Sequence, residues 1–146
     1  MQALDLSFAN SDVVVGNVPN YYAQLEPSKI ALYDGKKSIT YGELNNQVDI
    51  LASALITLGV KPGDIVSAYL PNCIEYVLVV LSVARAGAIF SPINPRYKRV
   101  EISEILHQSK PNVIFTNVEL AENIKEVLSG WTDKQPITIE IDSQGA

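Results

Sequence analysis

Arg96 is the side chain in this sequence best suited to chemistry on an anion. It follows Pro92-Ile93-Asn94-Pro95, where two prolines hold the backbone extended. Its guanidinium is a permanently charged, forked donor that matches a phosphate or a carboxylate. The alternative is an arginine paired with Glu101 or Glu104, or simply solvated, and an exposed pair of that kind contributes little. His107 is the only histidine, so a His-based acid/base pair or metal cluster within the chain is excluded. Its place late in a helical segment favours a surface or half-buried role. Cys73 has no His or Lys near it in sequence. Packing near a helix start is its expected role, and a thiolate activated by the helix N-terminus is the alternative. Tyr33 and Tyr41 read as core or rim aromatics, and Glu43 and Glu75 as helix caps rather than catalysts. No residue is assigned a catalytic or metal-binding role.

The glycines narrow the chemistry further. No GxxxxGK(S/T) loop occurs, and no GxGxxG follows a strand. Gly35, Gly42, Gly59, Gly63 and Gly87 stand apart, at turns and helix ends. Without clustered backbone amides there is no cradle for a triphosphate.

These candidates depend on the elements that carry them. Thr40 and Glu43 have capping-box spacing, and Leu44, Val48, Leu51, Ala52, Leu55 and Leu58 recur at steps of three and four, so a long amphipathic helix is expected. Gly59 and Pro62 close it. Ahead of it, Val18 to Leu25 reads as a short helix capped by Asn17. Ile30-Ala31-Leu32-Tyr33 and Ser38-Ile39-Thr40 read as a hairpin turning at Asp34-Gly35. After it, strands at Ile65 to Leu70, Ala88 to Ser91, Val113 to Phe115 and Ile137 to Ile141 alternate with helices. The first of these helices runs to about Ala86, with Asn72 and Glu75 at its start. The others span Arg99 to Gln108 and the Leu120 to Leu128 segment.

Alternation of this kind predicts an α/β fold, a layered, mostly parallel sheet with helices on both faces. Ligands collect at the carboxyl ends of such strands, here Pro71-Asn72-Cys73, Pro92 to Arg96 and Thr116-Asn117. Residues 1–16 read as an extended or mobile leader, 17–142 as the domain and 143–146 as a tail.

Composition sets outer limits. The chain has 146 residues, 47% hydrophobic and 18% charged, as in a soluble globular domain. The net charge of -5, with no local Lys/Arg cluster, argues against a nucleic-acid partner. The longest apolar run, Val77 to Leu81, is far short of the roughly 20 residues that span a bilayer. One cysteine makes no intrachain disulfide, and residues 1–16 carry Asp5 and Asp12 but no Lys or Arg, unlike a secretory or mitochondrial leader. A cytoplasmic setting is the simplest expectation.

Six segments in order resemble the N-terminal portion of the adenylate-forming ligases, and within them the AMP-forming acyl-CoA synthetases. They are PSKIAL from Pro27, ITYGEL from Ile39, LASALITLGVKPGDIV from Leu51, LPNCIEYV from Leu70, ARAGAIFSPINPRY from Ala84, and EISEILHQSKPNVIF from Glu101. The resemblance implies an incomplete part of that ligase fold, with architectural roles for the Thr40 to Leu44 and Ala86 to Asn94 motifs. It implies for Arg96 a contact to a phosphate of coenzyme A in the intact enzyme, which joins a carboxylic acid, ATP and coenzyme A. The phosphate loop, the adenine and magnesium contacts and the mobile C-terminal domain would lie downstream. By this reading the chain alone binds no cofactor and is inactive, while the intact protein uses ATP, Mg2+ and CoA.

The missing downstream part would be joined covalently or supplied by a partner in a split enzyme. A non-enzymatic α/β binding module and a truncation product without independent function are the other readings. Within the family, an amino-acid adenylation domain is the alternative, although INPRY followed by a basic residue favours the CoA ligases.

Overall fold

The longest helix begins as its sequence dictates. In the computed structural model, which describes residues 14–142, the Thr40 hydroxyl accepts the Glu43 amide at 3.3 Å and the Glu43 carboxylate accepts the Thr40 amide at 2.8 Å. This box opens α2 (Tyr41–Thr57). Before it come a short 3-10 helix (Val15–Asn17), α1 (Val18–Leu25) and the antiparallel hairpin of β1 (Ile30–Tyr33) and β2 (Ser38–Thr40). Gly35 takes the positive φ of +93° that the hairpin turn requires.

The remaining elements alternate. They are β3 (Ile65–Tyr69), α3 (Ile74–Arg85), β4 (Ile89–Ile93), α4 (Arg99–Ser109), β5 (Val113–Asn117), α5 (Val118–Ser129) and β6 (Ile137–Ile141). The four strands form one parallel sheet in the order β4-β3-β5-β6. Pro92 lies inside β4, which an edge strand tolerates because a missing amide there need not break the ladder.

Period-two alternation sends successive side chains of β3 to opposite faces. Val66, Ala68 and Leu70 pack with Val113 and Phe115 of β5 against Leu55 of α2 and Val79 and Val83 of α3. Tyr69 joins Ile93 and Ile114 on the other face, against Ile102 and Leu106 of α4 and Ile124 of α5. A third cluster seats Ile39 of the hairpin on Leu44, Val48 and Ile74. The layered α/β expectation is therefore met, with helices on both faces of a parallel sheet.

Several local expectations need correction. Asn17 makes no side-chain cap, because the chain enters α1 directly from the preceding 3-10 helix, with Pro19 in the first turn. Cys73, not Asn72, is the N-cap residue of α3, again without a side-chain bond. Glu75 instead pairs with Lys37 of the hairpin. The strand expected at Ala88 to Ser91 runs on to Ile93. The leader expected over residues 1–16 falls mainly outside the described residues, as does the tail at 143–146. At the end of the leader segment, Val15 and Gly16 belong to the 3-10 helix, with Gly16 buried.

Candidate functional site

Two turns shape a groove at the carboxyl ends of β3 and β4. Tyr69 ends β3 fully buried, and Leu70 and Pro71 lead over the sheet edge into α3. Ile93 ends β4 with only 2% exposure. The Asn94 side chain then accepts the Arg96 amide at 2.9 Å, and the Asn94 carbonyl accepts the Tyr97 amide at 2.9 Å. This Asx-type turn, set by prolines on both sides of Asn94, puts Arg96 on the groove wall. Tyr76 of α3 lines the same groove and meets Phe90 of β4 edge to face at 5.7 Å. The groove is an open one of about 640 Å³.

The Arg96 side chain is exposed. Among the described residues its guanidinium has no carboxylate partner, for the ion pairs belong to Lys29, Lys37, Arg85, Lys110 and Lys125. Glu101, expected as one alternative partner, spends its carboxylate on the Lys98 amide at 3.1 Å, at the start of α4. Arg96 thus offers an unspent positive charge and a forked set of donors to whatever enters the groove.

The loop is anchored from beneath. The Tyr69 hydroxyl donates to the Tyr97 carbonyl at 2.7 Å, lies 3.4 Å from the Pro95 carbonyl, and accepts from the Asn123 amide at 3.0 Å. Sequence reading missed this network. Its signal was there: a phenol within an otherwise small or aliphatic strand needs a polar partner when buried.

Of the three strand-end segments singled out, the structure brings together two. Pro71 and Asn72 of the first segment share the groove with Pro92 to Tyr97, whereas Cys73 faces a separate pocket beside Leu32 and Tyr33. Thr116 and Asn117 do not join them. Both are buried, and the Asn117 side chain accepts the Leu120 amide at 3.1 Å as the cap of α5.

The other candidates settle into structural roles. Burial pushes the Cys73 thiol up, and the neighbouring Glu75 carboxylate acts in the same direction, which opposes an activated thiolate. The His107 ring lies on the surface, 2.7 Å by its Nδ1 from the Ser103 carbonyl, and packs on Trp131 at a centroid separation of 4.3 Å. Tyr41 stacks on Tyr22 at 5.0 Å, a rim contact, whereas Tyr33 is largely exposed. Among the described residues no three His, Cys, Asp or Glu side chains are grouped to hold a metal ion, and no helix is long and apolar enough to cross a membrane. The groove can orient an anion through Arg96. Among the described residues that line it, Arg96 is the one charged side chain.

Comparison with known proteins extends this picture. Residues 21–146 match the family model described as AMP-binding enzyme. The chain is 36% identical over 113 residues to the acetoacetyl-CoA synthetase of Xenopus tropicalis, an overlap of 73% of this chain and 17% of that protein. It is 34% identical over 105 residues to a dimodular nonribosomal peptide synthase of Bacillus subtilis, which covers 72% of this chain and 4% of that one. Its fold superposes on a fatty acyl CoA synthetase of Mycobacterium tuberculosis with a TM-score of 0.80 and 27% identity, over 90% of this chain and 27% of the solved one. The chain therefore spans less than a fifth of the length of these two curated relatives, and about a quarter of the solved chain.

Proposed function

We propose, from the premise that this chain belongs to the AMP-binding enzyme family, that it forms the entry portion of an AMP-forming acid–CoA ligase and presents Arg96 to a phosphate of coenzyme A. The complete reaction converts a carboxylate, ATP and CoA to an acyl-CoA, AMP and pyrophosphate. The observation that carries the reading is the unpaired Arg96 guanidinium on the groove wall, held by the Asn94 turn.

Residues 1–146 by themselves are expected to be inactive. Adenylation needs preorganised donors at the phosphate where charge develops. At the strand ends the described residues supply one exposed guanidinium, and the sequence carries no GxxxxGK(S/T) phosphate loop. Support comes from the parallel sheet, the groove at its carboxyl edge, and the fraction of each relative that the chain covers. The rest of the ligase, in the same polypeptide or in a partner, would bring the nucleotide grip and the carboxylic acid pocket. A cytoplasmic location belongs to the same proposal.

An ATP–pyrophosphate exchange assay with a panel of fatty, aromatic and amino acids tests this. The purified chain is expected to give no exchange above background. Clear exchange would refute the proposed inactivity.

The identity to a peptide synthase favours a second reading, an amino-acid adenylation domain. The two part at the acceptor. An assembled ligase that transfers its acyl group to free CoA supports the first, and transfer only to a carrier-protein thiol supports the second.

A further inference from the structure

Asn94 explains the local turn but not what fixes that turn to the sheet. We propose that Tyr69 and Asn123 are positioning residues that latch the Asn94–Tyr97 loop and so hold Arg96 in place for an anion. The inference rests on the reading of Arg96 as a phosphate contact, replaces the expectation that the chain alone binds no cofactor with weak binding of coenzyme A through that contact, and adds the residues through which the contact is preorganised.

The geometry spans three elements. Asn123, on α5, donates to the Tyr69 hydroxyl, and that hydroxyl donates to the Tyr97 carbonyl, the residue after Arg96. The Tyr69 side chain is wholly buried, on the sheet's central strand pair, so the anchor itself is rigid. Asn123 polarises the phenol it donates to, which strengthens the bond onward to the loop. Among the described residues, apart from this hydroxyl, the loop's hydrogen bonds run within the loop, through Asn94. Pro95 contributes no amide that could tie it elsewhere. The latch therefore sets where the loop lies against the sheet. A guanidinium whose backbone is fixed loses less freedom when it closes on a phosphate.

Tyr69→Phe removes the hydroxyl and keeps the ring that fills the core. Asn123→Ala is a second, gentler variant that leaves the bond from Tyr69 to Tyr97. The probe is coenzyme A, with pantetheine as the phosphate-free control, titrated into the full chain and followed by amide chemical shifts. In Tyr69→Phe the Arg96 and Tyr97 amides are expected to exchange with solvent faster. Affinity for coenzyme A is expected to fall about fivefold, the scale of one lost hydrogen bond. Asn123→Ala should fall less. In an Arg96→Ala background Tyr69→Phe should cause no further loss, because the latch acts through Arg96.

Equal loss with and without Arg96 would show a general structural role and overturn the latch. Loss of binding in Arg96→Ala with none in Tyr69→Phe would overturn the latch alone and leave the phosphate contact standing. No response of the wild-type chain to coenzyme A, or the same response to pantetheine, would overturn the Arg96 reading and this inference with it.

Discussion

Glu75 sits beneath the hairpin, and its charge is balanced by a residue far away in sequence. Burial pushes its carboxyl up, but the bond to Lys37, with further bonds from its own backbone and the Cys73 thiol, outweighs that and holds it below its ordinary 4.5. Lys37 moves the other way, raised above 10.5 chiefly by its bond to Glu75. A carboxylate whose pKa falls on folding stabilises the fold above its unfolded value and loses that contribution as pH drops through the folded one. A raised lysine stabilises below its unfolded value and loses the contribution as pH climbs through the folded one. The pair is thus intact from mildly acidic to mildly alkaline pH. Glu75→Gln is expected to lower stability at neutral pH by about 1 kcal/mol, since the pair is part-exposed. Urea midpoints of the two proteins should converge as pH falls below about 4.5, where the unfolded carboxyl protonates. A gap that stays constant through that range would exclude the ion pair as its source. None of this was legible in sequence. Glu75 has capping spacing relative to Asn72, and only the fold brings the hairpin lysine over it. The exposed turn that carries Arg96 was legible, because prolines on both sides of Asn94 hold its backbone.

At the scale of elements, propensity and periodicity specified nearly every helix and strand, because each apolar stripe or alternation had a core to face. The failures lie at helix starts. A cap needs a particular backbone approach as well as a suitable residue, and neither Asn17 nor Asn72 has one. The 3-10 helix before α1 was missed for a related reason, since its stability is tertiary. The Arg85 Nε donates to the Gly16 carbonyl at 2.8 Å, and its other nitrogens hold Asn45 and Asp49 of α2. Gly16 lies so close to α3 that a Cβ there would fall 2.4 Å from the Arg85 nitrogen and 2.7 Å from its Cα. Both are backbone atoms of a packed helix and cannot swing away. Gly16→Ala is therefore expected to cost about 2 kcal/mol by overpacking and to loosen α1, visible as a lowered Tm and faster proteolysis between residues 14 and 25. An alanine variant with wild-type Tm would mean that the contact is not closed in solution.

For the whole molecule, the strand order decides which parts are held most firmly. β3 and β5 are each paired on both sides, and nearly all their residues are buried. Among the described residues β6 is paired only with β5, and three of its five residues are exposed, Ile137 at 44%. Among the described residues one ion pair reaches it, Lys125 to Glu140, long at 3.9 Å and solvent-exposed, so it adds little. Free energies of opening should follow this gradient, because exposed backbone bonds over few apolar contacts open first. In native-state hydrogen exchange the bonded amides of β6 are expected to open at least about 2 kcal/mol more easily than those of β3 and β5, by a local step that leaves the sheet centre closed. Equal protection in β6 and β3 would mean that the sheet opens only as one unit. The gradient also bears on the groove. Its floor hangs from the carboxyl end of β3, and its loop is tied to Tyr69 on that same strand, so fraying at β6 should leave Arg96 in place. Denaturant that melts β6 should therefore leave the Arg96 and Tyr97 amides protected until β3 itself gives way.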